Sequence, residues 1–211
     1  MRLRQFAARL VAWETFCFYR QAVTDEATRG PAEESDGLMF RQLGPDDFAS
    51  ASLFQAGNRA QRFTARLDGP HACYGYVADT GEVAAYIWVS RRTDGACEVP
   101  LAQNIRLSLA PGELYIWDCR TSPTFESRGL YRRALRRALG LGRDDGADVA
   151  AICCHHDNLA SIKGISAAGF EQTAVVRVCR LLWLRAVGRS ARLPFVAWRG
   201  GSVGLSPLIR R

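Results

Sequence analysis

From Thr121 to Leu135 the chain reads Thr-Ser-Pro-Thr-Phe-Glu-Ser-Arg-Gly-Leu-Tyr-Arg-Arg-Ala-Leu, a loop of small and turn-forming residues that opens directly into a helical pattern. Such a loop aims several backbone N–H groups at one spot, and the helix dipole adds positive potential there. Phosphate binds these spots readily. The N–H groups of Ser127, Arg128, Gly129, Leu130, Tyr131 and Arg132 form the candidate cradle. Gly129 lets the backbone approach an anion closely, and the side chains of Arg128 and Arg132 can add charge. An ordinary strand-to-helix turn can carry the same residues, so the loop gains meaning only from the elements around it.

Those elements can be read from spacing. Gly112 to Thr121 is a strand rich in Tyr, Ile and Trp, and alternation puts Glu113, Tyr115, Trp117 and Cys119 on one face, with Leu114, Ile116, Asp118 and Arg120 on the other. The helix after the loop runs from about Gly129 to Leu141, with an apolar stripe at positions 130, 131, 134, 135, 138 and 139 and an arginine face opposite. A strand over Ala147–Cys154, a helix over Asn158–Ala168 and a strand over Phe170–Leu184 follow. Upstream, Leu38–Leu43 is a first strand, and Pro45 opens a helix. A second helix covers Gln55–Leu67, and Asp79 to Glu82 turns a hairpin between Ala72–Ala78 and Val83–Arg91. Residues 93–111 hold a strand near Gln103–Leu109. Residues 3–20 have helical spacing, and the polar stretch 22–37 is a linker.

Two signatures in this order resemble the Gcn5-related N-acetyltransferase superfamily. Its phosphate loop follows Gln/Arg-x-x-Gly-x-Gly/Ala after the fourth strand, with a proline three residues ahead; here stand Pro123, then Glu126 to Tyr131. Its second signature, Asn-x-x-Ala/Ser, Tyr and Gly-Phe, appears as Asn158, Ser161, Ile165 and Gly169-Phe170. The resemblance covers about residues 38–180. It implies an α/β (α+β) acyl-CoA N-acyltransferase fold, a mixed bent sheet of six to seven strands flanked by helices, with the extra N-terminal helix outside it. It also implies acetyl-CoA or another acyl-CoA as acyl donor. Cys119, Arg120 and Thr121 would then hydrogen-bond the pantetheine arm through their backbone, and Asn158 and Ser161 would face the same arm. No metal enters this chemistry.

Three positions depart from the family pattern: Glu126 where Gln or Arg is preferred, Tyr131 where Gly or Ala is usual, and Ile165 where many members carry a tyrosine that protonates the departing thiolate. Direct transfer to an amine needs a base near the thioester. Glu113 and Asp118 are the base candidates, one on each face of the strand, and Tyr131 is the candidate acid. Asp118 reads equally as a structural carboxylate, and Glu113 as a solvated strand end. The run Cys153-Cys154-His155-His156 has no second ligand pair at zinc spacing. His155 or His156 could line the acceptor cleft, while His71 belongs to the Gly69-Pro70 turn.

Composition narrows the class without choosing the acceptor. The chain has 211 residues, 48% hydrophobic and 23% charged, as in a soluble globular protein. No apolar run approaches the roughly 20 residues of a membrane span. Seven scattered cysteines without a secretory signal suit reduced thiols in the cytoplasm. The net charge of +7, nearly all from arginine, suits phosphates, an anionic membrane or nucleic acid. No helix-turn-helix or aromatic-basic RNA motif supports nucleic acid.

The division that follows is an N-terminal helix and linker (1–37), an acyltransferase domain (38–184) and a basic C-terminal extension (185–211). The N-terminal helix would pack on the domain or in a homodimer, or seat the protein peripherally on a membrane. The function expected is acyl-CoA-dependent transfer to an amine. The alternatives are a non-catalytic acyl-CoA sensor, or an acyltransferase acting on a membrane- or envelope-associated acceptor.

Overall fold

A computed structural model describes residues 11–28, 37–91, 97–102, 105–181, 184–189, 196–198 and 201–209. Its strands are β1 (Val11–Ala22), β2 (Leu38–Leu43), β3 (His71–Ala78), β4 (Val83–Arg91), β5 (Cys97–Ala102), β6 (Ile105–Leu109), β7 (Glu113–Thr121), β8 (Val149–His155), β9 (Glu171–Leu181), β10 (Leu184–Arg189), β11 (Val196–Trp198) and β12 (Gly201–Gly204). Its helices are α1 (Asp25–Thr28), α2 (Pro45–Ser50), α3 (Arg59–Arg66), α4 (Leu130–Asp144), α5 (Leu159–Ala167) and α6 (Ser206–Ile209). Nine strands form one sheet in the order β11-β10-β9-β1-β8-β7-β4-β3-β2, and β12-β6-β5 form a second. Among the described residues of the large sheet only β7 and β8 run parallel, joined by the crossover helix α4.

Both faces of the large sheet are covered. On one lie Phe48, Phe54 and Phe63 from the α2–α3 region, together with β5, β6 and α6, packed on Phe16, Phe18, Trp88, Tyr115 and Trp117. On the other, Leu130, Ala134, Leu135, Ala138 and Leu139 of α4 and Ile165 of α5 pack on Ile87, Leu114, Ile116, Ala150 and Ile152. The helical stripe expected in α4 is thus the buried one, and its strands carry apolar residues at nearly every position because both sides are dry.

The N-terminal helix is corrected. Residues 11–22 are β1, threaded antiparallel between β8 and β9, with Cys17 opposite Cys154 and Val175. Phe16 and Phe18 enter one core layer while Cys17 and Tyr19 enter the other. Phe16 to Tyr19 are buried on both faces and apolar in succession, so their spacing satisfies a helical template as well as an extended one. Strand pairing on both edges decides in favour of the extended form. Residues 3–10, and 29–36 of the expected linker, lie outside the described residues. The count of six to seven strands is corrected too: β1, β10 and β11 extend the sheet to nine.

Phe18 is fully buried. Phe18→Ala is therefore expected to lower stability by about 3–5 kcal/mol in urea unfolding, and removal of residues 1–22 to abolish the cooperative transition. A peripheral helix would leave both measurements near wild type.

Candidate functional site

The expected loop lies where the sequence put it. Ser122, 6% exposed, donates its N–H to Ala84 O at 2.8 Å and its carbonyl receives Phe125 N–H at 2.8 Å, closing a 3₁₀ turn over Pro123–Phe125. Ser127 and Gly129 then both take left-handed backbone, φ 64° and 72°, on either side of Arg128. Such reversals turn successive N–H groups toward a common point, an anion-binding concavity. Gly129 is the N-cap of α4 and supplies no side-chain cap, so the first-turn N–H groups are open to an external acceptor. Glu126 to Gly129 are exposed, and the Arg128 guanidinium lies 5.0 Å from the Phe125 ring centroid. Leu130 turns its side chain into the core, and Arg132 stays exposed.

Beside this loop the central ladder comes apart. The β7–β8 pairing runs from Glu113/Val149 to Ile116/Ile152 and stops. Beyond it β7 continues to Thr121 paired with β4 alone, and β8 continues to His155 paired with β1 alone. Cys119, Arg120 and Thr121 therefore flank an opening, with Cys153 to His155 across from them. The Tyr115 hydroxyl and Cys153 Sγ sit 3.0 Å apart at its floor. Burial pushes the Cys153 thiol up to about 12, and the Cys119 thiol well above its ordinary value, so both remain protonated at neutral pH. Cys153 and Cys154 turn to opposite core layers. Asn158 caps α5, its side-chain oxygen accepting Ser161 N–H at 3.0 Å. Asn158 and Ser161 are thereby joined at the helix end nearest the opening.

Tyr131 enters this space from α4. A Cβ on Gly164 would lie 2.5 Å from Cδ1 of the Tyr131 ring, so the aromatic ring packs where only glycine leaves room. Its hydroxyl lies near the Ser161 side chain. Burial, with the Cys119 thiol nearby, pushes the phenol well above its usual value and keeps its proton in place. Ile165, one residue on, is fully buried and offers the opening nothing.

Asp118 corrects the simple alternation. It takes φ 43°, and the β4–β7 register slips between Tyr86 and Trp88. Asp118 and Cys119 thus share the place opposite Ile87, which is a β-bulge. Cys119 crosses to the core layer of Leu114 and Ile116 instead of joining Trp117. Asp118 turns to the other side, where it accepts Arg66 Nη1 at 2.5 Å and the Tyr86 hydroxyl at 3.3 Å. Glu113 stands about 16 Å away, at five strand residues' separation. It is 6% exposed and accepts Ala110 N–H at 2.8 Å. Asp118 is therefore beside the opening and Glu113 is not.

Sequence reasoning missed Arg66, Tyr86 and the chain His71–Ser90–Trp117. Ser90, 1% exposed, accepts the Trp117 indole N–H at 2.7 Å and lies 2.8 Å from His71 Nδ1. Burial, with Arg66 and Arg106 nearby, holds His71 below the usual imidazole value and keeps it neutral. His71 is the first residue of β3 rather than part of the preceding turn. No short motif marks these residues, since α3, β3, β4 and β7 each contribute one or two.

The sequence pattern of the Acetyltransferase (GNAT) family matches residues 39–170. No curated protein matches. Among solved structures, a Drosophila protein aligns with TM-score 0.58 at 13% identity, covering 86% of this chain and 56% of its own. A GCN5-related N-acetyltransferase from Sphaerobacter thermophilus aligns with TM-score 0.57 at 12% identity, covering 97% and 58%. An aminoglycoside N-acetyltransferase solved with CoA aligns with TM-score 0.45 at 19% identity, covering 63% and 91%. This chain therefore spans a little over half the length of the first two. No helix among the described residues is long and apolar enough to cross a membrane.

The Tyr131–Gly164 contact has a sign that depends on its partner. Gly164→Ala is expected to cost about 1–3 kcal/mol by overpacking. In a Tyr131→Ala background the same change should stabilise by up to about 1 kcal/mol through helix propensity. A double-mutant cycle in urea measures the reversal.

Proposed function

This chain belongs to the acetyltransferase (GNAT) family, and from that premise we propose that it transfers an acyl group directly from acyl-CoA, acetyl-CoA in the first instance, to an amine acceptor. One observation carries the reading: an uncapped helix start with left-handed residues at 127 and 129 lies beside the point where β7 and β8 part. The first part suits a diphosphate and the second an extended arm with amide groups. Both are what a CoA molecule presents.

The backbone N–H groups of Leu130, Tyr131 and Arg132 would hold the diphosphate, with Arg128 and Arg132 adding charge. Cys119, Arg120 and Thr121, which lack a β8 partner, would offer their free backbone edge to the arm as a neighbouring strand does. Asn158 and Ser161 close the far side. When bound, acyl-CoA supplies a thioester whose carbonyl carbon is open to an amine. Of the two base candidates, Asp118 borders the opening while Glu113 caps the Ala110–Glu113 turn; with its carboxylate engaged by Arg66, Asp118 would orient the acceptor, and the amine's proton would pass to water. Tyr131 keeps its proton at Oη and is the donor available in the opening, from a different helix than the one carrying Ile165. A non-catalytic acyl-CoA sensor remains the second reading, favoured by the burial of Ile165.

Calorimetry with acetyl-CoA tests the first step. Gly129→Val places a β-branched residue at φ 72° and should weaken acetyl-CoA binding at least about tenfold with far-UV circular dichroism unchanged. Unaltered affinity would remove the loop from the site. Tyr131→Phe should lower kcat about 100-fold while leaving CoA affinity in place; an unchanged kcat eliminates Tyr131 as proton donor. Tight acetyl-CoA binding with no transfer to any amine favours the sensor.

A further inference from the structure

Arg66 leaves the last turn of α3 and places its guanidinium over three aromatic rings. The centroids of Phe63 and Trp117 are each 4.6 Å from its central carbon, and that of Trp88 is 5.3 Å away. Its edge meets Asp118 Oδ2 at 2.5 Å, while Asp118 Oδ1 receives the Tyr86 hydroxyl. Ring faces carry negative potential, and a carboxylate at the rim supplies the opposite charge. Together they make a receptor for a flat cation, with a residue of the protein itself in it.

Two further facts separate this cage from a structural ion pair. It is not sealed: the Arg66 and Asp118 side chains keep 24% and 33% of their exposure. It borders the β7–β8 opening, since Asp118 belongs to the bulge just past the end of that ladder.

We infer that the cage is the cation subsite for the acceptor, that it selects a guanidinium, and that Arg66 is an internal occupant which the acceptor displaces. The inference rests on the acyltransferase reading. A guanidinium is planar and weakly hydrated, so it stacks on rings and forks onto a carboxylate, whereas an ammonium gives up a tighter hydration shell. The acceptor class is thus a small amine that also carries a guanidinium. Arg66, tethered beside its own site, competes at a high effective concentration and lowers the apparent affinity for any outside cation.

Agmatine is the probe, titrated against the full chain with tryptophan emission and calorimetry as readouts, since Trp88 and Trp117 line the cage. Wild type should bind it saturably. Arg66→Ala should bind it at least about tenfold more tightly because the tethered competitor is gone, and Arg66→Lys should gain less. Asp118→Asn should bind it at least about tenfold more weakly. Unchanged or weaker agmatine binding in both Arg66 variants overturns the proposal, as does n-butylamine binding as tightly as agmatine. If Arg66→Ala does not fold, Arg66→Lys and Asp118→Asn still decide. Acetyl-CoA calorimetry on the same variants keeps the two readings apart. Loss of acetyl-CoA binding in wild type refutes the acyltransferase, whereas normal acetyl-CoA binding without the Arg66 gain refutes only the cage.

Discussion

Everything at this site depends on two parallel strands that stop sharing hydrogen bonds halfway along. β7 and β8 pair through Ile116/Ile152 and then part, each held by its other neighbour, β4 or β1. Backbone groups away from water require partners. The parting is stable because each strand keeps one full ladder, and because an opening that reaches solvent or a polar ligand satisfies the other edge. β1 is what permits this on the β8 side. Without it, β8 beyond Ile152 would lose both ladders. The N-terminal segment is therefore not an appendage of the site but one of its two supports.

The opening is narrowed by a pair of departures from the family pattern that only make sense together. Tyr131 is bulky where a small residue is usual, and it fits because Gly164 on α5 has no Cβ. A helix interior with glycine is less stable than one with alanine by about 1 kcal/mol, so Gly164 has a cost that the buried ring offsets. The ring's placement brings a phenol near Cys119 and Ser161, while Ile165 serves the core. The hydroxyl in this region thus comes from α4, through Tyr131, while α5 contributes Ile165 to the core.

How much of this the sequence disclosed follows from how local each feature is. The loop, α4 and the hairpin were legible because their signals are consecutive residues: turn formers and a helical stripe. β1 was misread because a strand dry on both faces has no period of its own, and only its two partners distinguish it from a helix. The bulge at Asp118 was invisible because alternation assumes an unbroken ladder, and the residue is not glycine. Arg66, Tyr86 and the His71–Ser90–Trp117 chain were hidden because the contacts span dozens of residues, as between Arg66 and Asp118. Gly164 was the one missed signal open to reading, since a glycine inside a helical pattern asks for a close neighbour.

The bulge also explains how one strand can serve two chemistries. On a regular strand, Asp118 would share a face with Leu114 and Ile116, and Cys119 with Tyr115 and Trp117. The extra residue exchanges them. The carboxylate goes to the aromatic layer with Arg66, where a cation is stabilised by rings and charge, and Cys119 goes to the layer of α4 and the loop that leads into it. On the proposed reading, a donor along α4 and an acceptor among the rings would approach the same three residues, 117 to 119, from opposite faces of the sheet. Transfer between two molecules requires that neither occupy the other's path, and a bulge at the mouth of a parted ladder meets that requirement with a single inserted residue.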